Sequence, residues 1–253
     1  MHALAVSSLV FALVFAGSLV GMVIRRAAPE THFTPEAKDT VRLAIGLVVT
    51  MTGLVLGMLV SSSKTFYDGE KNQVAEMSSQ IILMNDLLLA YGPETKQARV
   101  EALEFVEQAA DRIWPKDKSA LFQLRPEHHS EEFYKELQLL VPKNDEQASS
   151  KAQLVSLTMS AKKSYWLLYL QTVQTPIPTP LLLVVTSWLV AIFVSFGIFA
   201  PRNLTVMVTL IVCAMAVSAA IFIITSMYSP FTGVLKISPA AVRDAVHQMG
   251  TER

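Results

Sequence analysis

Residues 41–63 read VRLAIGLVVTMTGLVLGMLVSSS, and residues 64–92 continue directly as KTFYDGEKNQVAEMSSQIILMNDLLLAYG. No proline lies between Pro35 and Pro93, so nothing in the backbone chemistry stops a helix begun near Val41 before about Leu89. Such a helix is roughly 70 Å long at about 1.5 Å per residue. The hydrocarbon core of a bilayer takes only about 30 Å of it. The stretch therefore predicts a membrane-spanning rod that leaves the bilayer as a charged helix. This one element sets the expected fold class, an all-α membrane protein.

Four runs, Ala3–Ile24, Val41–Ser63, Pro180–Ala200 and Leu204–Tyr228, each carry about 20 residues with almost no charge, the length that spans a bilayer. Arg42 is the one intruder, at an end where it can snorkel to the headgroups. The expected organisation is a first transmembrane pair within 1–63 (3–24 and 41–63), and a helical soluble domain, 64–179, inserted between the second and third spans. A transmembrane hairpin follows over 180–228 (180–200 and 204–228), then a C-terminal amphipathic tail, 229–253. The polar insertion explains why a chain that is 52% hydrophobic has a mean hydropathy of only +0.41. The run 3–24 has no basic region ahead of it, and Arg25 and Arg26 follow it, which suits a retained anchor rather than a cleaved signal. A net charge of zero gives no case for a nucleic-acid partner. Cys213, the only cysteine, falls inside the fourth span and reads as a small packing residue.

Prolines and caps divide the insertion. Gly92-Pro93 ends the long helix and starts another, with an apolar face at Ala98, Ala102, Phe105, Ala109 and Ile113. Lys116–His129 is irregular, Ser130 is placed to cap EEFYKELQLL, and Asp145 opens a long helix to about Thr175. Leu154, Leu157, Ala161, Ser164 and Leu168 form its stripe, facing Val74, Met77, Ile81, Asn85 and Leu88 on the first long helix. Both stripes approximate a coiled-coil seam, in which Asn85 would set the register. Pro176, Pro178 and Pro180 break the chain before the third span, where Thr179 is a candidate cap. Asn203 is the corresponding cap for the fourth span, and the short Pro201–Asn203 connection predicts a close antiparallel pair. In the tail, Ser238 caps a helix whose face is Val242, Ala245, Val246 and Met249. Docking on the soluble domain and lying at the membrane surface fit that face equally well.

Two stripes on the second span carry the functional reading. Gly46, Thr50, Gly53, Gly57 and Ser61 are small residues at spacings of three and four, as expected for close helix packing. Leu47, Met51, Leu54 and Met58 are bulky, and they are the pore-lining candidates for a hydrophobic constriction that gates by dewetting. No span holds Asp, Glu, Lys, Arg or His at depth, which argues against pumps and ion-coupled transporters. His128-His129 has no companion ligands and reads as a solvated loop. Glu101, Glu104, Glu107 and Asp111 decorate the polar side of an amphipathic helix. With no phosphate loop, nucleophile elbow or metalloprotease motif, neither an enzyme nor a cofactor is expected.

The glycine-rich span ending in LVSSSKTFYD, then LLLAYGPETKQAR, Trp114-Pro115 and SPFTGVLKIS together resemble the bacterial bestrophin-like domain proteins. The likeness covers much of 41–115 and about 180–249. It implies four spans with a helical insertion, in a multi-pass protein of the bacterial inner membrane. By comparison with bestrophins it further implies a homo-oligomeric ring, a pentamer, that conducts chloride or other anions with the second span lining the pore. Partners would be further copies of the chain, membrane lipid and the ion. The alternative is a non-conducting sensor whose soluble helices bind a ligand or partner. On sidedness the two arguments oppose each other. Arg25, Arg26, Lys38, Arg42 and Arg202 place the insertion outside the cytoplasm, whereas bestrophin topology places it inside.

Overall fold

The computed structural model describes residues 2–29, 34–114, 129–174, 178–201, 203–231 and 233–251. Eight α-helices follow in order among them: α1 (His2–Ala27), α2 (Pro35–Tyr91), α3 (Lys96–Ile113), α4 (His129–Leu139), α5 (Asp145–Gln174), α6 (Thr179–Phe199), α7 (Leu204–Met227) and α8 (Ala240–Thr251). No strand occurs among the described residues. The proline-free stretch is one helix of 57 residues, about 85 Å long. Lys116–His128, Pro115, Thr175–Ile177 and Arg202, on which several expectations rest, lie outside the described residues.

The helices fall into two units, and α2 contributes to both: residues 1–67 with 176–235, and residues 68–175 with 236–253. In the first unit α1 packs against both α6 and α7. Glycine explains why α1 and α6 pair so tightly. A Cβ on Gly21 would stand 2.0 Å from the Val194 carbonyl oxygen, and one on Gly197 2.0 Å from that of Ser18. Only hydrogen fits between these backbones. Around them Val14, Val185, Leu189, Ile192, Ala214, Ile221 and Ile224 form an apolar core that also takes in Leu59 of α2. Asn203 caps α7 as expected, its Oδ1 accepting from Val206 N at 2.8 Å. Thr179 does not cap: it is already the first residue of α6, and Pro178 precedes it with no side-chain cap. Cys213, expected to pack, is exposed on α7.

The second unit is organised by an antiparallel seam between α2 and α5. Gln73 Nε2 donates to the Ser164 carbonyl at 3.1 Å, Thr158 Oγ1 lies 4.0 Å from Met84 Sδ, and Gln147 Nε2 donates to the Tyr91 carbonyl at 2.8 Å. The stripe Val74, Met77, Ile81, Asn85 and Leu88 is buried throughout. On α5 the buried positions are Leu154, Thr158, Tyr165 and Leu168, so the facing stripe is rotated slightly from the expected one. A corresponding shift on α3 buries Leu103, Val106 and Ala110 beside Ala98, Ala102 and Ile113. Ser130 lies inside α4 instead of capping it, because the helix already includes His129. At the corner after α2, Gly92 takes φ 121°, a left-handed conformation that favours glycine. Thr95 Oγ1 lies 2.6 Å from the Leu88 carbonyl and so occupies a carbonyl left open at the helix end. Lys143 pairs with Glu94 and holds its carboxyl below the usual range. The choice left open for the tail is settled by packing within this unit: Val242, Ala245 and Met249 are buried, and Trp114 Nε1 donates to the Ile237 carbonyl at 2.9 Å.

Candidate functional site

Within residues 41–63, α2 has two unlike sides. Ile45, Val48, Val55, Leu56 and Leu59 belong to the apolar core, with Thr52 and Ser63 also buried. Their hydroxyls bond back to their own helix, Thr52 to the Val48 carbonyl at 2.7 Å and Ser63 to that of Val60 at 2.9 Å. Neither leaves its hydroxyl proton unplaced in the apolar interior. At the end of the segment, Ser62 Oγ lies 3.2 Å from Tyr228 Oη, and the Phe66 and Tyr228 rings are 5.5 Å apart. The end of α7 thereby fixes the rotation of α2.

That rotation leaves both sequence-derived stripes on the opposite, open side. Gly46, Thr50, Gly53, Gly57 and Ser61 are exposed, as are Leu47, Met51, Leu54 and Met58. A Cβ on Gly46, Gly53 or Gly57 would meet nothing within 4 Å. Thr50 Oγ1 donates to the Gly46 carbonyl at 2.9 Å, so even its hydroxyl folds onto the helix. At 3.6 residues per turn the small and bulky stripes lie side by side, their centres about 90° apart. The structure thus brings the nine residues onto one face without giving that face an occupant. Gly17 and Gly21, which carry the same small-residue signature, do meet a neighbour, in α6.

Sequence reasoning passed over Glu70. It occupies the seam position shared by Met77 and Met84, seven and fourteen residues further on, which was the available signal. Glu70 is 2% exposed, and its Oε2 has no hydrogen-bond partner among the described residues. Burial pushes the carboxyl up to about 7, because desolvation penalises the ionised form. The group lies beyond the apolar segment, about 10 Å along the helix from Ser63.

Four long apolar helices, three of them packed around a shared core that the fourth joins through Leu59, define a helical membrane protein. The model of the bestrophin-like domain matches residues 11–242, and the protein belongs to that family. No curated protein matches the chain significantly.

Proposed function

We propose that the protein is a homo-oligomeric channel of the bacterial inner membrane, crossing it four times, with α2 lining an anion passage and residues 64–179 in water. The observation that carries this reading is the unpartnered face of α2. Only 11% of its apolar segment is buried within the chain, against 22–39% for the other three. A helix that merely faced lipid would have no use for three glycines along one stripe. Small residues let helix backbones approach closely, so this stripe suits contact with the same helix of a neighbour. The adjacent Leu47, Met51, Leu54 and Met58 would then project towards the symmetry axis as a narrow apolar neck that hinders ion passage by excluding water. With no ionisable group in the passage, conduction would be passive, and no enzymatic step is involved.

Assembly is tested first. Leucine at both Gly53 and Gly57 is expected to convert the oligomer in mild detergent to monomer, as measured by light scattering, with helix content unchanged. A wild type that is already monomeric, or a double variant that assembles normally, rejects the interface. Conduction is tested in planar bilayers, where Met51→Ala and Leu54→Ala should each raise the current severalfold by widening and wetting the neck. Intact oligomers that carry no current, wild type or variant, reject the channel.

One observation favours a sensor as the second reading. An apolar groove of about 580 Å³ opens in the second unit, lined by Leu88, Leu89, Val100, Leu103 and Met249, with Lys96 and Arg99 at its wall. Its size is within the range of small-molecule sites.

A further inference from the structure

A second concavity, of about 520 Å³, lies in the first unit where α1 and α6 end and α2 begins. Among the described residues its charged lining is cationic: Arg25 and Arg26 from the last turn of α1, and Lys38 from the first turns of α2. Phe199, Ala200 and Pro201 supply the apolar wall. The acidic neighbours Glu36 and Asp39 sit on the same stretch of α2, yet neither lines the cleft. Its walls are held by the glycine contact that locks α1 to α6, since Gly197 belongs to both the contact and the cleft.

Arginines at a helix C-terminus ordinarily offset the helix dipole, and basic side chains at span ends ordinarily snorkel into water. Neither effect gathers cations from two helices around one hollow. The hollow lies at the ends of apolar spans, beside Val23, Ile24 and Phe196, which remain exposed. We propose that this cleft binds the phosphate of an anionic phospholipid headgroup, with the acyl chains lying along that exposed apolar surface. A phosphate-bearing anion is the chemistry that three cations lining one hollow recognise. The apolar approach selects a lipid over phosphate in solution. This site is independent of conduction and rests only on the helices lying in a membrane.

The test uses the full-length protein purified in neutral detergent and titrated with phosphatidylglycerol or phosphatidylcholine of identical acyl chains. Binding is read by native mass spectrometry and thermal shift. Phosphatidylglycerol is expected to bind and raise the melting temperature, and phosphatidylcholine is not. Each cation removed should weaken binding roughly fivefold, so Arg25→Gln/Arg26→Gln/Lys38→Gln should lose about 100-fold. Lys64→Gln/Lys71→Gln, which removes charges elsewhere on α2, should leave binding unchanged. If the triple variant does not accumulate, Lys38→Glu at its exposed position must still lower affinity severalfold. Equal binding of the two lipids, or wild-type affinity in the variants, overturns the proposal. Displacement of phosphatidylglycerol by millimolar inorganic phosphate overturns the lipid assignment and leaves a soluble-phosphate site.

Discussion

Alanine at Gly21 or Gly197 is expected to abolish accumulation of folded protein, whereas alanine at Gly69 is expected to be tolerated. The atoms that each added methyl would meet decide the difference. At Gly21 the new Cβ would fall 2.0 Å from the Val194 carbonyl oxygen and 2.9 Å from its carbon. Both are backbone atoms in the middle of a helix, so no side-chain rotation relieves the collision. The helices must separate, which exposes core contacts along their length, and the cost should exceed about 3 kcal/mol. At Gly69 nothing lies within 4 Å, and alanine has the higher helix propensity, by about 1 kcal/mol. Expression with fluorescence-detected size exclusion separates the outcomes. A monodisperse Gly21→Ala protein with wild-type thermal stability would refute the α1–α6 packing.

Glu70→Gln is expected to stabilise the protein in a pH-dependent way. The folded carboxyl is raised to about 7 from an ordinary 4.5, so the folded state holds its proton more tightly than the unfolded state does. The stability this confers is fully present below about 4.5. It is lost as pH rises through 7, by at most about 3 kcal/mol. Glutamine presents a neutral amide at every pH and escapes that loss. The variant and wild type should therefore melt together near pH 4.5 and separate progressively up to pH 8, with the variant higher. Melting curves in detergent across that range provide the check. A constant offset at all pH values, or a less stable variant at pH 8, would mean that Glu70 is ionised and satisfied in the folded protein.

These expectations draw on different levels of the chain. Elements whose signal is local were legible. The apolar lengths marked four candidate spans, the absence of proline between Pro35 and Pro93 foretold one long helix over about 41–89, found as Pro35–Tyr91, and Asn203 announced its cap. The seam of α2 followed from spacing alone, and its five expected positions are buried. Where several rotations satisfy the same periodicity, spacing was insufficient. The buried stripe on α5 includes Thr158 and Tyr165, because the facing side chains set which side turns inward.

By itself the sequence determined the class of protein, its helical elements and the two stripes on α2, since length, hydropathy and periodicity are properties of one segment at a time. Tertiary structure decided which glycines are used within the chain. Gly17, Gly21, Gly46, Gly53 and Gly57 look alike as small-residue signatures, yet only the first pair meets another helix. It also decided that α1 packs against both α6 and α7, that Glu70 is buried with no partner for Oε2 among the described residues, and that Arg25, Arg26 and Lys38 share one cleft. Each of these depends on which surfaces meet across long separations in the chain. A lone carboxylate or a run of basic residues carries no record of what packs against it.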